Sequence, residues 1–214
     1  MNYWPEFLAV AVAHFLAVAS PGPDFAIVVR QSFAFGRRTA LWTSVGVGTA
    51  ILLHVTYSLL GLGLLIRSSE LWFTVVKYAG ALYVAWLGIQ ALRTKPRPIP
   101  SADAPAATGA VIPVPSGRAA FLTGFLTNAL NPKATLFFLS VFVIVVSRQT
   151  PKLVQAAYGL WMSLATMAWF SFVSVVFTRR EVRDRFLRHG HWIDRALGVV
   201  FLGFAVSLAF ATLR

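Results

Sequence analysis

The sequence predicts an all-α integral membrane protein of six transmembrane helices, arranged as a 3+3 inverted repeat with helices one and four broken at proline motifs. Three observations carry this expectation. The first is apolar content: 57% of the 214 residues are hydrophobic and 12% are charged, with a mean hydropathy of +0.71, far more apolar surface than one soluble domain can bury. The second is length. Six apolar segments, at residues 5–35, 40–66, 71–92, 120–147, 153–177 and 196–213, each reach the roughly 20 residues a helix needs to cross a hydrocarbon core about 30 Å thick. The third is that the first and fourth segments are interrupted by similar motifs at corresponding places.

The first segment holds "SPGPDF", starting at Ser20, between "FLAVAVAHFLAVA" and "AIVV". It lacks a basic leader region and a small-residue cleavage site, so it is expected to be a retained helix rather than a removable signal. The second and third segments are uninterrupted, and their "GVGTA" and "GLG" stretches (Gly46, Gly48, Gly61, Gly63) suit close helix packing better than phosphate binding. The fourth contains "TNALNPKATLFF", and a shift of 109 positions lays Gly22-Pro23-Asp24 over Asn131-Pro132-Lys133. Between the third and fourth segments, residues 95–117 hold six of the eleven prolines and read as a flexible or polyproline-like linker. The expected organisation is therefore a first repeat at 1–94, a cytoplasmic linker at 95–118 and a second repeat at 119–214. Each half has three crossings, so homologous halves would sit upside down relative to each other. A softer match lays "GALYVAWLG" from Gly80 over "GVVFLGFAV" from Gly198, pairing Tyr83 with Phe201 and Ala85 with Gly203. A β-barrel would instead show short alternating segments, which are missing.

Orientation follows from Lys and Arg. The connections after segments one, three and five hold Arg30, Arg37, Arg38, Arg93, Lys95, Arg97, Arg118, Arg179, Arg180, Arg183, Arg185, Arg188 and Arg195; the opposite side has only Arg67, Arg148, Lys152 and Arg214. Short basic loops stay in the cytoplasm, so both termini are expected outside. The net charge of +12 then reads as topology and attraction to anionic headgroups, and nucleic acid is not an expected partner. Tyr3, Trp4, Trp42, Trp72 and Trp192 lie near segment ends, where aromatic belts form.

The two breaks are the candidate site. Pro23 and Pro132 each remove a backbone donor and clash with the preceding turn, freeing carbonyls that cost several kcal/mol apiece in lipid unless satisfied. The half-helices that begin there present free N–H groups and a positive dipole end, a place for a carboxylate. Asp24 and Lys133 add one charge of each sign, and a zwitterion fits: ammonium near Asp24, carboxylate near Lys133 and the helix terminus. The bland readings stand beside this one. Asp24 is also a plausible first-turn cap, and Asp24 with Lys133 a structural ion pair. His54 and Gln90 are cavity-lining candidates that interhelical hydrogen bonding alone would explain, and Arg30 either guards the cytoplasmic mouth or ends its helix. His14 and Lys77 are weaker candidates, Lys77 because it can snorkel. His189 and His191 are read as part of a basic loop without acidic or Cys partners for a metal site.

With these motifs on the page, the chain resembles the LysE/RhtB family of bacterial amino-acid exporters, through "SPGPDF", "FLTNALNPKATLFF" and the spacing from Gly80 through Tyr83 to Gly88. The resemblance covers nearly the whole chain. It implies secondary active export of amino acids or their derivatives across the bacterial inner membrane, driven by proton antiport, with Pro21, Gly22, Pro23, Asp24, Asn131, Pro132 and Lys133 as substrate-binding positions. Asp24, then His54, are the candidates for proton coupling, because each can change charge state during transport. The partners implied are the amino acid, protons and the lipid bilayer, with monomer or homodimer left open, and no cofactor is called for. The alternative is a divalent-cation exporter of related architecture, which would want several acidic or His ligands within the spans. A thiol-reductant transporter is excluded by the absence of Cys. An intramembrane enzyme would need an oriented pair, and nothing orients Ser20 and His54 as one.

Overall fold

The computed structural model describes residues 2–20, 22–62, 70–95, 113–147 and 149–210. Pro21, Gly63, Arg67, Arg97, Arg148, Arg214 and most of the proline-rich linker lie outside them. The described residues form eight α-helices and no strand. In chain order these are α1 (Trp4–Ala19), α2 (Pro23–Phe35), α3 (Arg37–Tyr57), α4 (Glu70–Leu92), α5 (Gly117–Ala129), α6 (Pro132–Ser140), α7 (Lys152–Val176) and α8 (Arg180–Ala209). Two π-helical turns, Ser58–Leu62 and Val141–Val145, extend α3 and α6.

By length and apolarity, two described helices can each cross a membrane, Arg37–Leu60 and Lys152–Val176; α1 and α2, bent by 52° at their break, meet the same criteria only when taken together. The bend is written in the sequence. Ser20 closes α1 in an extended conformation (φ −69°, ψ 127°). Gly22, also extended, caps α2, and Pro23 opens it at the position where its missing N–H costs nothing. The second break repeats this grammar: α5 ends at Ala129, and Asn131 caps α6 with its side chain while Pro132 opens it.

The sixth apolar segment is a correction. It was expected to start at residue 196 after a basic loop, yet α8 is one 30-residue helix from Arg180. His189 and His191 therefore lie on a helix, not in a loop. Its charged half holds no proline, and Phe186 anchors it on Phe25 and Phe177, with ring centroids 5.4 and 4.9 Å away.

Close glycine contacts set the packing. A Cβ on Gly46 would overlap the Phe121 carbonyl, and one on Gly124 the Thr43 carbonyl, so α3 and α5 touch backbone to backbone. A Cβ on Gly48 would strike Met167, and the Ser163 hydroxyl donates to the Gly48 carbonyl at 2.8 Å. Helix α3 is thus pinned between α5 and α7, parallel to the first and antiparallel to the second. Helices α4 and α8 form a separate antiparallel pair: a Cβ on Gly88 would stand 3.0 Å from the Gly198 carbonyl, and one on Gly198 2.8 Å from that of Gly88. Two apolar clusters flank the breaks. One joins Val10, Ile51, Val55, Phe138, Phe142 and Met162; the other joins Phe25, Val28, Val47, Phe170, Val173 and Phe177.

Candidate functional site

The freed carbonyls at the two breaks receive donors from the opposite half of the chain. The Ser20 carbonyl, released where α1 stops, accepts from Lys133 Nζ at 3.0 Å. The Asn128 carbonyl, in the last turn of α5, accepts from the Asn131 N–H at 2.9 Å and from His54 Nε2 at 3.1 Å. A break in lipid needs such partners, and here each is supplied across the bundle.

Asp24 stands in the first turn of α2, facing the second break. Its Oδ2 accepts from Asn128 Nδ2 and from Asn131 Nδ2, each at 3.0 Å. Its Oδ1 is buried and has no partner. Both amides are oriented by other bonds. Asn131 Oδ1 accepts from the Lys133 N–H at 3.0 Å, which turns its Nδ2 toward Asp24. Asn128 Oδ1 lies 3.2 Å from His54 Nε2. Since that nitrogen faces two acceptors, it carries the proton; Nδ1 then accepts from the Tyr57 hydroxyl at 2.7 Å. His54 is fully buried and stacked on Phe138, rings 5.3 Å apart and 5° from parallel.

Asp24, Lys133, Gly22, Ser20, Asn128 and Asn131 line one small, partly open cavity, its apolar side formed by Phe25, Phe137, Phe138 and Phe170. Lys133 makes no ion pair with Asp24, because its ammonium turns to the Ser20 carbonyl. His14 joins the same cavity: its Nε2 sits 3.1 Å from the Met162 carbonyl and 2.9 Å from Thr166 Oγ1, leaving a buried Nδ1 without a partner.

Of the residues singled out in the sequence, Gly22, Asp24, Asn131 and Lys133 come together at the cavity. Pro23 and Pro132 open the two half-helices with exposed rings, and Pro21 lies outside the described residues. His54 reaches the cavity only through Asn128. Gln90 and Arg30 are not cavity residues: both are exposed on the outer faces of their helices, Gln90 because α4 turns Ala81, Val84 and Gly88 inward instead. Asn128 was not singled out, although it lies within the quoted "TNALNP". Among the described residues no group of three or more His, Cys, Asp or Glu could hold a metal ion.

The sequence from residue 15 to residue 212 matches the family described as LysE type translocator. The chain belongs to that family. LysE-type relatives include the threonine efflux protein of Salmonella typhi, 34% identical over 94% of this chain and 96% of its own length, and that of Escherichia coli strain K12, 34% identical with the same coverage. The leucine efflux protein of Klebsiella pneumoniae is 31% identical over 95% of this chain and 94% of its own. No solved structure gives a significant match. The family is one of translocators, and the named relatives are efflux proteins for threonine and leucine.

Proposed function

We propose that this LysE-type protein exports amino acids or their derivatives across the bacterial inner membrane by proton antiport, binding substrate between the two helix breaks. The observation that carries the reading is Asp24 Oδ1: an unpartnered, buried carboxylate oxygen in a cavity whose one lysine is not paired with it. A zwitterion completes that arrangement, its ammonium on Oδ1 and its carboxylate on Lys133 and the N-terminus of α6. The amides of Asn128 and Asn131 hold Asp24 in place, and His54 acts through Asn128.

In the cytoplasm-facing form Asp24 is ionised and grips the ammonium. Movement of one three-helix half against the other opens the site outward, where protonation of Asp24 loosens its hold. The empty carrier returns with Asp24 still protonated, and loss of that proton to the cytoplasm resets the cycle. Support for the inverted repeat comes from the matched proline-initiated half-helices and from the antiparallel pairs α3/α7 and α4/α8.

Proteoliposomes with an imposed pH gradient test this reading. The wild-type protein is expected to concentrate amino acid against its gradient, and Asp24→Asn to lose that accumulation while still folding. An Asp24→Asn protein that still accumulates substrate would leave Asp24 a helix cap only.

A further inference from the structure

Behind Lys133 lies a second, smaller and partly open chamber, walled by α1, α4, α6 and α8. It shares Ala17, Lys133 and Phe137 with the cavity of the breaks, so the two spaces meet along the lysine stem. Its remaining walls, from Ala13, Leu16, Tyr83, Val84, Val200 and Phe201, are carbon apart from the hydroxyl that Tyr83 carries. Lys133 passes between them with its ammonium turned away to the Ser20 carbonyl, 5.8 Å from the centre of the Phe201 ring. What the chamber borders is therefore apolar, while the groups that grip a zwitterion all face the first cavity.

We propose that this chamber is the side-chain subsite of the exporter and takes branched aliphatic side chains of leucine-like shape. The inference rests on the placement of the zwitterion between Asp24 and Lys133. An α-amino acid whose carboxylate lies on the Lys133 ammonium has its Cβ only two bonds from the carboxylate carbon, at the shared wall of Ala17 and Phe137. A carbon side chain entering from there leaves no polar group of its own unsatisfied, and its burial favours binding with each added methylene. A longer polar or charged side chain would forfeit its hydration without finding partners.

The test is competitive export of labelled leucine and alanine from proteoliposomes. Ala13→Leu fills the chamber without touching the first cavity's lining and is expected to lower the leucine-to-alanine export ratio about tenfold, the scale of discrimination that a hydrophobic pocket achieves. Val200→Ala, on an exposed face of α8, enlarges the chamber and is expected to raise export of phenylalanine relative to leucine. Ratios that stay at the wild-type value in both variants overturn the subsite. So does a parallel loss of all three substrates in both, because that removes any link between chamber size and side chain. Failure of the underlying reading looks different: wild-type protein then exports none of these amino acids, or Asp24→Asn exports them as well as wild type does.

Discussion

At the scale of residues, the site is an asymmetry between two oxygens of one carboxylate. Asp24 Oδ2 holds two amide donors while Oδ1 holds none, so one half of the group is fixed and the other is free to bind. Asn128 is the residue on which that fixation turns, since it donates to Asp24 and accepts from His54. Replacing it by Leu removes a hydrogen bond to a charged group, worth about 1.5–3 kcal/mol, and strips His54 of its side-chain acceptor. The expected result for Asn128→Leu is a rise of about 10- to 100-fold in the substrate concentration giving half-maximal export. The maximal rate should fall less, because Asn128 positions the carboxylate and does not itself carry the proton. Equal half-saturation in the variant and wild type would show that Asp24 is held without it. Asn131 was legible in the sequence because it falls within the motif that the 109-residue shift lays over Gly22-Pro23-Asp24. Asn128 was not, because its partners Asp24 and His54 lie 104 and 74 positions away, and only the fold brings them together.

At the scale of elements, small residues decide which helices touch. Gly46 and Gly124 place α3 against α5 with no side chain between them, and this role was legible for Gly46 from the "GVGTA" pattern. Gly124, in "FLTGFLTNAL", carried no comparable signal by itself. Gly124→Val would drive a branched side chain into the Thr43 backbone, and overpacking of this kind costs about 1–3 kcal/mol or more. A lowered unfolding midpoint in detergent is expected for Gly124→Val, whereas Gly203→Ala, where an added Cβ meets nothing within 4 Å, should leave the midpoint near wild type. Similar midpoints for both would mean that the two helices can separate at no cost. The extent of α8 was misread for a related reason. Arginines and histidines between 180 and 195 suggested a loop, yet charge breaks no helix, and Phe186 supplies the tertiary contact that keeps the chain helical past the apolar boundary.

At the scale of the whole molecule, the breaks and the antiparallel pairs raise a question of symmetry. A two-fold axis in the membrane plane relating the halves would bring equivalent residues of α4 and α8 face to face where that axis crosses them. Gly88 and Gly198 meet in that way, each near the other's carbonyl, and they differ by 110 positions, close to the 109 that superimposes the breaks. The sequence match of Gly80 with Gly198 implies an offset of 118 and the proline motifs one of 109, and the Gly88–Gly198 contact lies nearer the second. Orientation adds an independent check. Helices α3 and α5 both begin beside arginines and run parallel, and α7 runs against them, so the positive-inside rule assigns their common start to the cytoplasmic side in the proposed orientation. Under the proposed three crossings per half, the C-terminus would then emerge on the opposite side. A reporter fused after Arg214 is expected to be active outside, and one inserted within residues 95–117 to be active inside. If both report from the cytoplasm, the second half contains an even number of crossings and the proposed inverted repeat fails; reporters on opposite sides give that half the odd number of crossings that the repeat requires.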